Sequence, residues 1–106
     1  MKYVFDLDGT LCTQEKSGEY HLAIPVWPMI HKLNELYDAG HEITIFTARG
    51  MNTYQDENKA IARYSEMTRD WLVDHGVKFH NFIMGKPPAD VYVDDKAMTP
   101  DEFLNG

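Results

Sequence analysis

Four short runs rich in β-branched and aromatic residues, at 2–5, 41–47, 79–84 and 90–93, each lead into polar residues, and amphipathic repeats separate the first three. Strands of that kind with helices between them predict an α/β domain built on a mainly parallel sheet. Right-handed crossovers then bring the carboxyl ends of the strands to one edge. That edge would gather Asp6 and Asp8 after the first run, Thr47 at the end of the second, Lys86 after the third, and Asp94 and Asp95 after the fourth. Ligands of open α/β sheets bind there, where the strand order switches.

The helical segments are read from spacing. Trp27, Ile30, Leu33, Leu36 and Tyr37 recur at three- and four-residue intervals before Gly40, and Ile61, Tyr64, Met67, Trp71 and Leu72 do so before Gly76. Trp27 is placed on the apolar face of its helix. Thr99, Pro100 and Glu102 form a capping-box start for a short terminal helix. Residues 9–24, with glycine and few apolar side chains, read as a loop or small flap, ARGMNT after the second strand reads as loop, and residues 85–88 break the third strand through Pro87 and Pro88.

A chain of 106 residues supports one domain, here 1–106, and one site. Its hydrophobic content of 43% is that of a globular protein, no apolar run approaches a membrane span, and MKYVFDLD lacks the pattern of a signal peptide. The expected location is the cytoplasm. The net charge of −7 disfavours a nonspecific grip on nucleic acid, and the single cysteine, Cys12, admits no intrachain disulfide. Cys12 reads as a small buried hydrophobe.

Three or four carboxylates in one crevice repel one another unless a cation lies among them, and an all-oxygen donor set with room for water suits Mg²⁺. The five histidines show no paired zinc spacing. Thr47, with the backbone of Ala48 and Arg49 behind it, and Lys86 are the phosphate-binding candidates. Arg49 reads equally as a substrate contact or as an exposed arginine. No Walker loop is present, so a carboxylate is the available nucleophile. Taken singly, the same residues read otherwise: Asp6 and Asp8 as a solvated strand end before an Asp-Gly turn, Thr47 as a strand residue, Lys86 as a surface lysine, and Asp94 and Asp95 as an acidic turn.

Their order decides between these readings. FDLDGTL, IFTARG, GKPPAD and YVDDKA follow one another as the four motifs of the haloacid dehalogenase (HAD) superfamily do, and together they span nearly the whole chain. The chain thus resembles a HAD phosphatase. The resemblance implies a Rossmann-like three-layer sandwich with Asp6 as nucleophile and Asp8 as general acid and then base. It further implies that Asp6, the Asp8 backbone carbonyl and Asp94 hold Mg²⁺, that Asp95 orients metal-bound water, and that Thr47 and Lys86 hold phosphoryl oxygens. Asp8 sets the chain apart from the haloacid dehalogenases proper, and D-G-T from the D-K-T-G-T of P-type ATPases. Too few residues lie between the motifs for a folded cap, so a homo-oligomer neighbour or a large substrate would cover the crevice.

A phosphorylated small molecule such as a sugar phosphate is the expected substrate. TARG followed by YSEMTRDWLVDHGV is also similar to the phosphatase domain of phage-type polynucleotide kinase-phosphatases, which implies 3′-phosphorylated nucleic acid as the alternative. A noncatalytic module that binds Mg²⁺ and phosphate, or a partner protein, is the reading from another class.

Overall fold

The computed structural model describes residues 1–15, 19–51, 57–87 and 89–106, apart from the side chains of Glu57 and Ala60. Expected flap residues 16–18, expected loop residues 52–53 and Pro88 lie outside the described residues. Three strands, β1 (Lys2–Asp6), β2 (Glu42–Thr47) and β3 (Asn81–Met84), form a parallel sheet in the order β1-β2-β3. Between them run α1 (Trp27–Asp38) and α2 (Glu57–Asp74), with a single 3-10 turn at Tyr20–Leu22 and a terminal α3 at Pro100–Asn105. The architecture is α/β and compatible with a Rossmann-like fold.

Local chemistry accounts for the ends of these elements. Gly40 and Gly76 follow α1 and α2 with φ of 95° and 69°, a left-handed backbone that glycine adopts without a Cβ clash. At α3 the Thr99 hydroxyl accepts from the Glu102 amide while the Glu102 carboxylate accepts from the Thr99 amide, completing the capping box. The third strand starts later than its sequence pattern: at His80 the backbone amide still donates to the Ile43 carbonyl at 2.9 Å, but the Ile43 amide is taken by the ring, donating to His80 Nδ1 at 3.0 Å.

Register determines the faces. Phe5 pairs with Ile45 and Ile45 with Phe82, so these share one side of the sheet with Tyr3 and Ile43. Against that side pack Met29, Ile30 and Leu33 of α1 and Trp71 and Leu72 of α2. A strand order of 1-2-3 with two right-handed crossovers puts both helices on the same face. The terminal α3 joins them there: Phe103 meets the Tyr3 and Phe5 rings, and the Lys32 ammonium donates to the Phe103 carbonyl.

The opposite face carries Val4, Phe46 and Ile83, and Val4 and Ile83 are 66% and 49% exposed. Among the described residues the domain therefore has two layers, and the expected three-layer sandwich is corrected. The cause is the side on which the crossovers pass: both place their helices on one face, and α3 packs beside α1. The expected fourth strand at 90–93 is corrected as well. It lies outside the sheet, with Val93 95% exposed, because a β pattern becomes a strand only where a partner backbone completes the ladder. Trp27 is a further correction, since it stands 46% exposed against His31 and His75 while Met29 takes the core position.

The two faces should differ in their tolerance of change. In urea denaturation Ile45→Ala, which empties a fully buried position, is expected to cost about 2–5 kcal/mol. Val4→Thr is expected to stay within about 0.5 kcal/mol. Equal losses would show that the outer face is covered.

Candidate active site

The carboxyl ends of the three strands carry two ion pairs of different character. Asp6 ends β1, and its carboxylate lies 3.6 Å from the Lys86 ammonium in a partly exposed pair. Lys86 reaches that position because its backbone amide donates to the Thr47 carbonyl at 3.0 Å, which holds the residues after β3 against the end of β2. Burial, the largest influence, pushes the Asp6 carboxyl above its ordinary value, and nearby Asp8 pushes the same way. The Lys86 charge and the Leu7 amide pull it down. The Tyr92 ring stands 4.3 Å from the Lys86 ammonium. Its phenol is raised by desolvation first and by the Asp6 charge second.

The second pair is buried. Arg49 Nε donates to Asp8 Oδ1 and Oδ2 at 3.3 and 3.0 Å, and Nη2 donates to Oδ1 at 2.9 Å. The Arg49 side chain has no exposed surface and that of Asp8 is 15% exposed. Arg49 Nη1 donates to the Thr68 hydroxyl at 3.2 Å, and the guanidinium carbon lies 4.6 Å from the centre of the Tyr20 ring. The Tyr20 hydroxyl in turn accepts from the Gly50 amide at 3.2 Å. Four parts of the chain thus meet at one guanidinium: the turn after β1, the 3-10 turn, the loop after β2, and α2.

Thr47 is fully buried, and its hydroxyl accepts from the Arg49 amide at 3.1 Å, so it holds the start of the loop at Ala48 and Arg49. Of the two readings open for Arg49, exposure is excluded. The Nε/Nη2 edge of its guanidinium is turned to Asp8.

Asp94 and Asp95 are exposed, and the Asp94 carboxyl is held below its ordinary value mainly by the Lys96 amide, which donates to it at 2.9 Å, and then by Asp95. Among the described residues no three acidic, histidine or cysteine side chains converge as a metal-binding group. In kind, the donors suit Mg²⁺, since carboxylate and carbonyl oxygens are hard ligands. In place, Asp6 has the Lys86 ammonium beside it and Asp8 the Arg49 guanidinium.

The sequence reading missed Thr68 and Tyr92. Thr68 left a signal: a threonine four residues after Tyr64 and four before Leu72 occupies the apolar stripe of α2, where a hydroxyl needs a buried partner. Tyr92 left none.

Cys12 is buried beside Asp8, and its thiol is pushed up to about 12 by burial first and the Asp8 charge second. At pH 8 only about one part in ten thousand would be thiolate. Native protein is therefore expected to resist iodoacetamide for hours at that pH and to react once unfolded in urea, as read by mass spectrometry. Fast labelling of the native chain would contradict this arrangement.

No protein-family model matches the sequence. Among solved structures, a structural-genomics target from Vibrio cholerae is similar at a TM-score of 0.89 and 35% identity, over 99% of this chain and 88% of that one. A chain of the Pnkp1/Rnl/Hen1 complex is similar at a TM-score of 0.59 and 21% identity, over 97% of this chain and 33% of that chain, a likeness of fold alone. With 35% identity across nearly the whole of both chains, this protein belongs to the same family as the Vibrio cholerae protein.

Proposed function

We propose that residues 1–106 form a single capless catalytic domain of the HAD kind, a phosphatase that hydrolyses a phosphomonoester through an aspartyl phosphate. The observation that carries the reading is the placement of Asp6 at the carboxyl end of β1, beside the Lys86 ammonium and two residues before a second carboxylate. A phosphoryl group needs little more than a nucleophile, a proton donor and positive charge in fixed positions. The absence of a folded cap is supported by the described residues between Asp8 and α1, which form turns, isolated bridges at Cys12 and the 3-10 turn.

An Asp6 carboxylate oxygen attacks phosphorus, and the bond to the ester oxygen breaks. Asp8 gives its proton to that leaving oxygen. Asp8, now a carboxylate, takes a proton from water, the water oxygen attacks phosphorus, and the bond to Asp6 breaks to release phosphate. Lys86 offsets negative charge on the phosphoryl oxygens, and Thr47 with the backbone of Ala48 would bind them. Mg²⁺, held by the Asp6 carboxylate, the Asp8 carbonyl and Asp94 with Asp95 orienting its water, would supply further neutralisation.

A sugar phosphate or similar small ester fits the acidic surface better than a polyanion does. A second reading, a polynucleotide 3′-phosphatase, has one specific observation in its favour. The stretch that resembles phage-type kinase-phosphatases contains Arg49, Tyr64 and Thr68, so it includes the buried Arg49–Thr68 hydrogen bond as well as the packing of a helix.

Hydrolysis of p-nitrophenyl phosphate with and without Mg²⁺ tests the reading. Turnover is expected to need the metal and to fall by about a thousandfold or more in Asp6→Asn. That variant should keep its urea midpoint, because the amide replaces a desolvated carboxylate. Turnover that survives in a folded Asp6→Asn protein would remove Asp6 as nucleophile. Preference for a 3′-phosphorylated oligonucleotide over sugar phosphates would favour the second reading.

A further inference from the structure

We infer that Arg49 is the positioning residue of Asp8, holding Oδ1 and leaving Oδ2 as the oxygen presented for catalysis. The inference rests on the phosphatase reading and assigns Arg49 a role other than phosphate binding. Its basis is the unequal treatment of the two Asp8 oxygens. Oδ1 accepts from Arg49 Nη2 at 2.9 Å, from Arg49 Nε at 3.3 Å and from the Cys12 thiol at 3.4 Å. Oδ2 accepts only from Arg49 Nε, at 3.0 Å, among the described residues. Held this way, Oδ1 has its acceptor capacity taken up while Oδ2 keeps some open.

Arg49 is itself held rigidly. Nη1 is committed to Thr68, the flat face to Tyr20, and the backbone amide to Thr47. A guanidinium that gripped a substrate phosphate would need a free edge open to the crevice, as bidentate recognition of an anion requires. Arg49 has no exposed side-chain surface, and its Nε/Nη2 edge is turned to Asp8. A side chain fixed on every side can set a rotamer, and proton transfer depends on that orientation.

The test uses the dependence of rate on the leaving group. A general acid matters little when p-nitrophenolate leaves and much when an alkoxide leaves. The ratio of kcat/KM for p-nitrophenyl phosphate to that for an alkyl phosphate, such as glycerol phosphate, therefore reports on Asp8. In Arg49→Ala and Arg49→Lys the alkyl ester is expected to lose at least about tenfold more than the aryl ester, within the range ascribed to general acids. Inhibition by inorganic phosphate should change by less than about threefold, and added guanidinium should restore part of the alkyl activity in Arg49→Ala but not in Asp8→Asn.

Thr68→Val keeps the shape of the side chain and removes the Nη1 acceptor. It gives the same pattern at smaller amplitude, and it serves if the arginine variants do not fold. Equal losses on both esters would reduce Arg49 to a structural residue and overturn the inference. A matching rise in the phosphate inhibition constant would make Arg49 a phosphate ligand, with the same result. Arg49 variants indistinguishable from wild type, beside an inactive Asp6→Asn, would overturn it while leaving the phosphatase reading in place. A wild type that turns over neither ester removes both.

Discussion

The buried pairing of Asp8 with Arg49 is the constraint to which the rest of this small domain is fitted. An arginine without solvent must find a partner for each donor, and this one finds them on Asp8, Thr68 and Cys12, with the Tyr20 ring against its face. Among the described residues no buried side-chain nitrogen or oxygen lacks a hydrogen bond. Replacing such a pair with apolar residues of the same size is often neutral or stabilising, whereas removing one partner alone costs about 3–5 kcal/mol. Stability therefore does not explain why the pair is there, whereas the role proposed for Asp8 would.

The other pair follows different physics. Asp6 and Lys86 lie further apart and partly in water, where an ion pair contributes little to folding. Its consequence is local: burial raises the Asp6 carboxyl and Lys86 opposes that rise, so the nucleophile proposed here stays close to a fixed positive charge while remaining reachable. The argument for a cation made from repelling carboxylates changes as a result. Asp6 and Asp8 are each balanced by a base, and a metal would add to that balance rather than create it.

What could be seen in the sequence was what local spacing controls. The ends of α1 and α2 at Gly40 and Gly76, the capping box at Thr99 and Glu102, and the acids at the end of β1 all depend on neighbours a few residues away. The segment at 90–93 has the local pattern of a strand and no partner, so pattern alone misled. The number of layers was equally hidden, because it depends on which side each crossover passes. Arg49 was hardest to read, since its carboxylate partner lies 41 residues earlier in the chain. Thr68 could have been suspected from its place among apolar residues, but nothing at Arg49 itself points back to Asp8.

The sheet order has a consequence for reach. β2 lies between β1 and β3, so the backbones that carry Asp6 and Lys86 are two strand spacings apart, about 9–10 Å. The Lys86 amide stays at the end of β2, and its side chain has to cross that strand end to come within 3.6 Å of Asp6. Four methylenes give a lysine that length; a shorter cation at the same position would leave its charge over β2, beside Thr47 and out of reach of Asp6.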